Sequence, residues 1–126
     1  MLFRSQPTGD INKYLPLDED GDEPSTIDLM EATLSWRVIA PTAPDTLWCY
    51  PYQNKDPFVL GKERCPALYA VGNAKAFETR LIAGDAEGER TRLVAVPEFN
   101  KTGEIVVVDV EDLSVQVIKV GVEEVG

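Results

Sequence analysis

The stretch ALYAVGNAKAFETRLIAGDAEGERTRLVAVPEFNKTGEIVVVDVEDLSVQVIKV, Ala67 to Val120, decides the fold class. Five short apolar or β-branched runs lie inside it: Ala67–Val71, Thr79–Ala83, Thr91–Val96, Glu104–Val110 and Ser114–Val120. Strands bury alternate side chains, and β-branched residues fit a pleated surface, so each run is predicted to be a strand. The links contain glycine or acidic residues; Gly84-Asp85-Ala86-Glu87-Gly88 reads as a hairpin turn. Links this short favour antiparallel neighbours, because a parallel crossover takes a dozen residues or more. Glu104–Val110 is apolar on both faces and is expected at the centre of a sheet covered on both sides. In Thr91–Val96, Leu93 and Ala95 share one face and Arg92, Val94 and Val96 the other; which face is buried stays open. Gly72-Asn73 reads as a turn after the first of these strands.

Upstream of Ala67 the pattern becomes helical, then irregular. A short helix is predicted over Pro7–Leu15, capped by Thr8, with Ile11, Tyr14 and Leu15 on one face and Pro16 ending it. Ser25 is a good N-cap and Asp28, three residues on, stands in capping-box position. A second helix is therefore predicted from Thr26 to about Leu34, with Ile27, Met30 and Leu34 as its apolar stripe. Pro41, Pro44, Pro51 and Pro57 then exclude a long helix or a central strand. The aromatics Trp48, Tyr50, Tyr52 and Phe58 in that region suit an ordered loop packed on the core, with a partner-docking loop as the alternative. Together these signals give an α+β fold, mainly antiparallel sheet with two short N-terminal helices.

At 126 residues, 44% hydrophobic and 27% charged, the chain is large enough for one domain with a core. Its net charge of −10 argues against a general nucleic-acid surface, which needs Lys and Arg to displace counterions. Asp18, Glu19, Asp20, Asp22 and Glu23 form one acidic run. The run lacks the regular spacing and terminal Glu of a calcium loop, and Pro24 interrupts it, so it reads as a solvated loop. No stretch approaches the roughly 20 apolar residues of a membrane span. The N-terminal MLFRSQPTGD lacks the apolar region of a signal peptide, so an intracellular protein is expected. Cys49 and Cys65 do not make a CxxC pair. A disulfide stays open, with two reduced, partly buried thiols expected in an intracellular chain.

The chain contains no histidine. Every Ser-His or Cys-His catalytic arrangement is therefore excluded within it, as are imidazole-based zinc and iron sites. No GxxxxGK[ST] or GxGxxG phosphate loop is present. Carboxylate pairs such as glycosidases use could come from Glu78, Asp85, Glu87, Glu98 and Asp109. Turns and exposed faces hold most of them, where acids are merely solvated; Asp109, inside an apolar strand, is the exception. Asn100-Lys101-Thr102 matches a glycosylation sequon and reads as accidental without a secretory signal. No catalytic, metal or cofactor-binding residue is expected.

One region goes beyond fold class. Ile39-Ala40-Pro41-Thr42-Ala43-Pro44-Asp45-Thr46-Leu47-Trp48-Cys49-Tyr50-Pro51-Tyr52, continuing to Asp56-Pro57-Phe58, closely resembles the small (B) subunit of eukaryotic DNA polymerase delta. Cys65-Pro66, Tyr69-Ala70-Val71-Gly72-Asn73, Phe77, Leu81-Ile82 and Leu93-Val94-Ala95-Val96-Pro97-Glu98-Phe99 follow in the family's order. The resemblance runs from about Ile11 to about Val120 and is most specific over Pro41–Phe58. The acidic loop at Asp18–Glu23 is longer than the family pattern.

The resemblance implies an OB-fold joined to a calcineurin-like phosphoesterase domain, with residues 1–126 similar to the C-terminal part of that second domain only. It further implies a non-catalytic accessory subunit, or a fragment of one, working in the nucleus in DNA replication. Its partners would be the catalytic subunit of DNA polymerase delta and a further accessory subunit, with DNA reached only through the complex and no membrane contact. In active relatives a Gly-His metal motif would stand at Gly72-Asn73; Asn73 then marks a vestigial metal position, since a neutral amide poorly replaces imidazole in a two-metal site. The alternatives are a metal-dependent phosphoesterase half-domain and a truncated product without independent function.

Overall fold

The computed structural model describes residues 2–3 (backbone only), 21–41, 58–60, 65–84 and 86–121. The helix predicted at Pro7–Leu15, most of the proline-rich aromatic region, Cys49 and Asp85 lie outside the described residues.

Helix α1 spans Thr26–Trp36 and begins where the capping box puts it. The Asp28 backbone N–H donates to Ser25 Oγ at 3.3 Å, and the Ser25 hydroxyl donates to the Asp28 carboxylate at 2.7 Å. Two otherwise orphaned polar groups thus satisfy one another. At the other end Arg37 turns left-handed, φ 57°, and its N–H returns to the Leu34 and Thr33 carbonyls. The buried face holds Ile27, Leu29, Met30 and Thr33, with Leu34 packed at its margin. The predicted stripe is thus right at Ile27 and Met30, and the helix runs two residues further than its pattern indicated. Ser25→Ala is expected to cost about 1 kcal/mol, read as an earlier urea midpoint.

Four strands form the main sheet: β1 (Leu2–Phe3), β2 (Leu68–Ala74), β3 (Glu78–Ala83) and β4 (Arg90–Pro97), in the order β1-β2-β4-β3. β3 and β4 make the expected antiparallel hairpin, closed by the Gly84 N–H donating to the Glu89 carbonyl at 2.8 Å. β2 pairs not with β3 but in parallel with β4, which departs from the antiparallel expectation for neighbouring strands. Residues 75–89 separate β2 from β4. That is long enough for a parallel connection, and here the connection contains a strand, β3, instead of the usual helix.

The central position belongs to β4, where Leu93, Val94 and Ala95 are all buried. Both of its faces are therefore covered, which answers the question the alternation left open. Met30 and Ile27 of α1 pack with Tyr69, Val71, Leu93 and Ala95 as the core. Thr33 donates its hydroxyl to the Met30 carbonyl at 2.9 Å and lies 3.1 Å from the Tyr69 hydroxyl, so the tyrosine donates in that second bond. Burial pushes the Tyr69 phenol above its ordinary value of 10.0, against the smaller opposing effect of Thr33. Outside the core, Arg80 of β3 binds the Asp28 carboxylate at 3.1 Å and also that of Glu31, tying sheet to helix.

The Ser25 hydrogen bond and then Arg80 hold the Asp28 carboxyl below its ordinary value of 3.8. A lowered folded value means stability present above pH 3.8 and lost as pH falls below it. The gap in stability between wild type and Asp28→Asn is expected to close over that acid range in pH-dependent urea unfolding. Half-exposed as these partners are, solvent keeps the effect small.

After β4 the chain makes a short helix, α2 (Phe99–Thr102), which carries the sequon. Thr102 is used locally: its hydroxyl donates to the Glu98 carbonyl and accepts the Glu104 N–H. β5 (Glu104–Val108) and β6 (Val115–Lys119) then form a separate antiparallel ribbon. This corrects the expectation for Glu104–Val110. Among the described residues β5 pairs with β6 alone and does not lie at the centre of a covered sheet; Ile105 is 44% and Val107 45% exposed. Asp109 falls past the end of β5, where its carboxylate accepts the Glu111 N–H at 2.9 Å, a turn-forming role. Arg92 Nε donates to the Leu113 carbonyl at 2.8 Å and fastens the ribbon's loop to β4. The class is α+β with mainly antiparallel pairing, as the sequence indicates.

Candidate functional site

Gly72 and Asn73 lie within β2 and do not form a turn after it. The pairing with β4 runs to Val71 opposite Ala95 and resumes at Ala74 opposite Pro97. β2 advances three residues while β4 advances two, so one residue is extra, which is a β-bulge. Asn73 takes the left-handed conformation, φ 57°, and its side chain is exposed. Asparagine is among the few residues with a Cβ that accept this backbone readily.

The bulge sits at the carboxyl ends of two parallel strands, where open α/β sheets usually place ligands. The Glu98 N–H donates to the Ala74 carbonyl at 3.3 Å, which brings the end of β4 beside the bulge. Of the acidic candidates among the described residues, Glu98 is the one whose backbone adjoins the bulge, and its carboxylate is taken by Lys101 Nζ at 2.9 Å. Glu78 opens β3, Glu87 is exposed in the hairpin loop, and Asp109 sits in the ribbon loop. Among the described residues no three His, Cys, Asp or Glu side chains are grouped to hold a metal ion. A neutral amide, an alanine and a lysine at positions 73–75 offer no anionic donor. Among the described residues, the donor set around Asn73 therefore does not fit a two-metal hydrolytic centre.

Two further features were not placed by the sequence. A cavity of about 260 Å³ lies between α1, β3 and the start of β4, lined by Glu31, Leu34, Arg37, Cys65, Glu89 and Thr91 among others. These residues come from separate segments, so no local spacing announces them. Cys65 is a free, exposed thiol, not the partly buried one expected. Its sulfur lies 3.4 Å from Thr91 Oγ1, which itself donates to the Pro66 carbonyl at 2.7 Å, so the thiol is the donor. The second feature is the ribbon. Its register puts Ile105 opposite Ile118 and Val107 opposite Gln116, and this face is exposed. Alternation reveals that such a face exists but not whether anything covers it.

The family described as the B subunits of DNA polymerases alpha and epsilon matches residues 1–79. The DNA polymerase delta small subunit of Saccharomyces cerevisiae is 48% identical over 96 residues, 76% of this chain and 19% of that protein. The Arabidopsis thaliana DNA polymerase delta small subunit is 41% identical over 108 residues, 86% of this chain and 22% of its own length. DNA polymerase delta subunit 2 of Drosophila melanogaster is 46% identical over 99 residues, 79% of this chain and 22% of that protein. The chain thus spans about a fifth of the length of the curated relatives it matches. With the family pattern across more than half its residues and these delta small subunits aligned along most of it, this chain belongs to the polymerase B-subunit family.

Proposed function

We propose that this chain serves as a non-catalytic accessory part of the DNA polymerase delta complex, acting in DNA replication through protein–protein contacts. The observation that carries the reading is the 48% identity to the yeast delta small subunit, sustained over 76% of the chain. In this reading residues 1–126 correspond to the C-terminal part of a calcineurin-like phosphoesterase domain. Asn73 stands at the position of a lost metal-binding histidine. The lack of an anionic donor at positions 73–75, and the engagement of the neighbouring Glu98 by Lys101, support a scaffold over a hydrolase. The chain works in the nucleus, bridging the catalytic subunit and a further accessory subunit. DNA is reached through the assembled complex, because a net charge of −10 repels phosphate.

Co-purification tests this. The tagged chain is expected to bring down the polymerase delta catalytic subunit from co-expressing cells. Failure to do so, with the chain folded, overturns the proposal. Chelator-sensitive hydrolysis of a generic phosphodiester by the purified chain would overturn its non-catalytic part.

A further inference from the structure

We infer that the β5–β6 ribbon is a flap that opens and recloses over one face of β4, hinged at Gly103 and latched by Arg92 against Leu113. The flap is a property of the fold and stands apart from the function proposed above. Alternation along β4 fixes the face. Leu93 and Ala95 belong to the core with α1, so Arg92 and Val94 are on the opposite side of the sheet. Val94 is buried there beside Ala70 of β2, its partner in the parallel register, which is buried too. Arg92 reaches from that side to the loop of the ribbon, where its Nε donates to the Leu113 carbonyl at 2.8 Å. The ribbon alternates in the same sense: Glu104, Val106 and Val108 are half-buried, and Ile105 and Val107 are exposed.

Hinge and latch stand at opposite ends of the ribbon. Its five-residue strands separate them by about 17 Å. At the base the chain enters β5 through left-handed Gly103, φ 65°, and the Val120 N–H donates to the Gly103 carbonyl at 2.8 Å. That joint ties the ribbon to α2, not to the sheet. At the tip Leu113 is also left-handed, φ 61°. Hairpin loops put glycine or asparagine in that conformation, because a bulky side chain is strained there. Leu113 adopts it with its side chain only 8% exposed, while its loop neighbours Glu111, Asp112 and Ser114 are exposed. Burial of the side chain and Arg92 on the carbonyl therefore hold the strain in place. When the tip lifts, both holds are lost together and the backbone relaxes. A closed state that stores strain, beside an open state that releases it, is a two-position element. Among the described residues β5 and β6 pair only with each other, so lifting the tip breaks no ladder hydrogen bond of the main sheet.

Amide hydrogen exchange on the full chain tests the flap, with thermal melting of every variant. A two-stranded ribbon is marginal on its own in water, so an unlatched ribbon loses its internal bonds as well and its amides report the opening. In wild type, exchange of the β5–β6 amides is expected to depend less on added urea than exchange of the β2–β4 amides, because opening the flap exposes less surface than global unfolding. Arg92→Gln is expected to speed β5–β6 exchange about tenfold and to leave β2–β4 exchange within about twofold. Leu113→Gly lies outside the main sheet, so it keeps the test usable if Arg92→Gln fails to fold. Glycine takes φ 61° without strain, so if Leu113 only shaped its loop this variant would slow β5–β6 exchange. A latch predicts the opposite, exchange about tenfold faster in the ribbon with the β2–β4 amides unmoved. The flap is ruled out if the two sets of amides share one urea dependence in wild type, or if Leu113→Gly slows ribbon exchange or speeds both sets together. Folded Arg92→Gln with unchanged β5–β6 exchange would remove Arg92 as the latch and overturn the inference.

Discussion

Leu93→Ala is expected to lower the unfolding free energy by about 2–5 kcal/mol, the range for truncating a buried leucine where the surroundings collapse only partly. Leu93 is fully buried on β4, which is hydrogen-bonded on both sides, to β2 and β3. Leu93 belongs to the core formed with Ile27, Met30, Tyr69 and Val71, and these neighbours are themselves buried and held, so they close the gap only in part. Native stabilities are typically 5–15 kcal/mol, so the loss is a large fraction of the total. Urea unfolding followed by tryptophan fluorescence measures it, and a change under about 1 kcal/mol would show that β4 is not the central strand. Val107→Ala on the exposed ribbon face is the control and should change little.

A second large effect is expected from Gly103→Ala. Gly103 ends α2 in the left-handed conformation, φ 65°, with its N–H bonded to the Phe99 carbonyl. A side chain there meets two obstacles. The backbone conformation disfavours any Cβ, and the added carbon would lie 2.7 Å from the Val120 carbonyl oxygen. That oxygen belongs to backbone, held by the Val120 N–H donating to the Gly103 carbonyl at 2.8 Å. A strained residue of this kind costs about 1–3 kcal/mol, and the clash should place the variant toward the upper end. Gly88→Ala separates the two contributions, because Gly88 is also left-handed, φ 86°, but has open space around it. Hydrogen exchange should show the Val120 amide losing protection in Gly103→Ala and keeping it in Gly88→Ala.

Local chemistry was legible where it is self-contained. The Ser25–Asp28 box fixed the start of α1, and all five strands of Ala67–Val120 occur close to their expected limits. Neighbour choice was not legible. Period-two alternation says that a segment is a strand but nothing about its partner, so the parallel β2–β4 pair could not be read. The β-branched run at Glu104–Val110 misled for a related reason. A segment apolar on both faces suits a buried strand and equally a ribbon with one face left exposed. At the site, the reading of Asn73 as a vestigial metal position rests only on the family resemblance; Gly72-Asn73 alone reads as a turn, and the bulge found there arises from a register mismatch with β4. The cavity and the Arg92–Leu113 tie join residues far apart in sequence and have no local signature.

The strand order has a consequence for synthesis on the ribosome. β2 is complete at Ala74, yet the strand it pairs with is finished only at Pro97. At translation rates of about 5–20 residues per second, that leaves an interval of about 1–5 s. Through it, Tyr69, Ala70 and Val71 wait without their β4 neighbours, because β3, which emerges in between, belongs on the far side of β4. Only when the β3–β4 hairpin closes does β2 receive its neighbour, so a pause or a stop codon between Ala74 and Pro97 would release a nascent chain with an apolar strand open to aggregation.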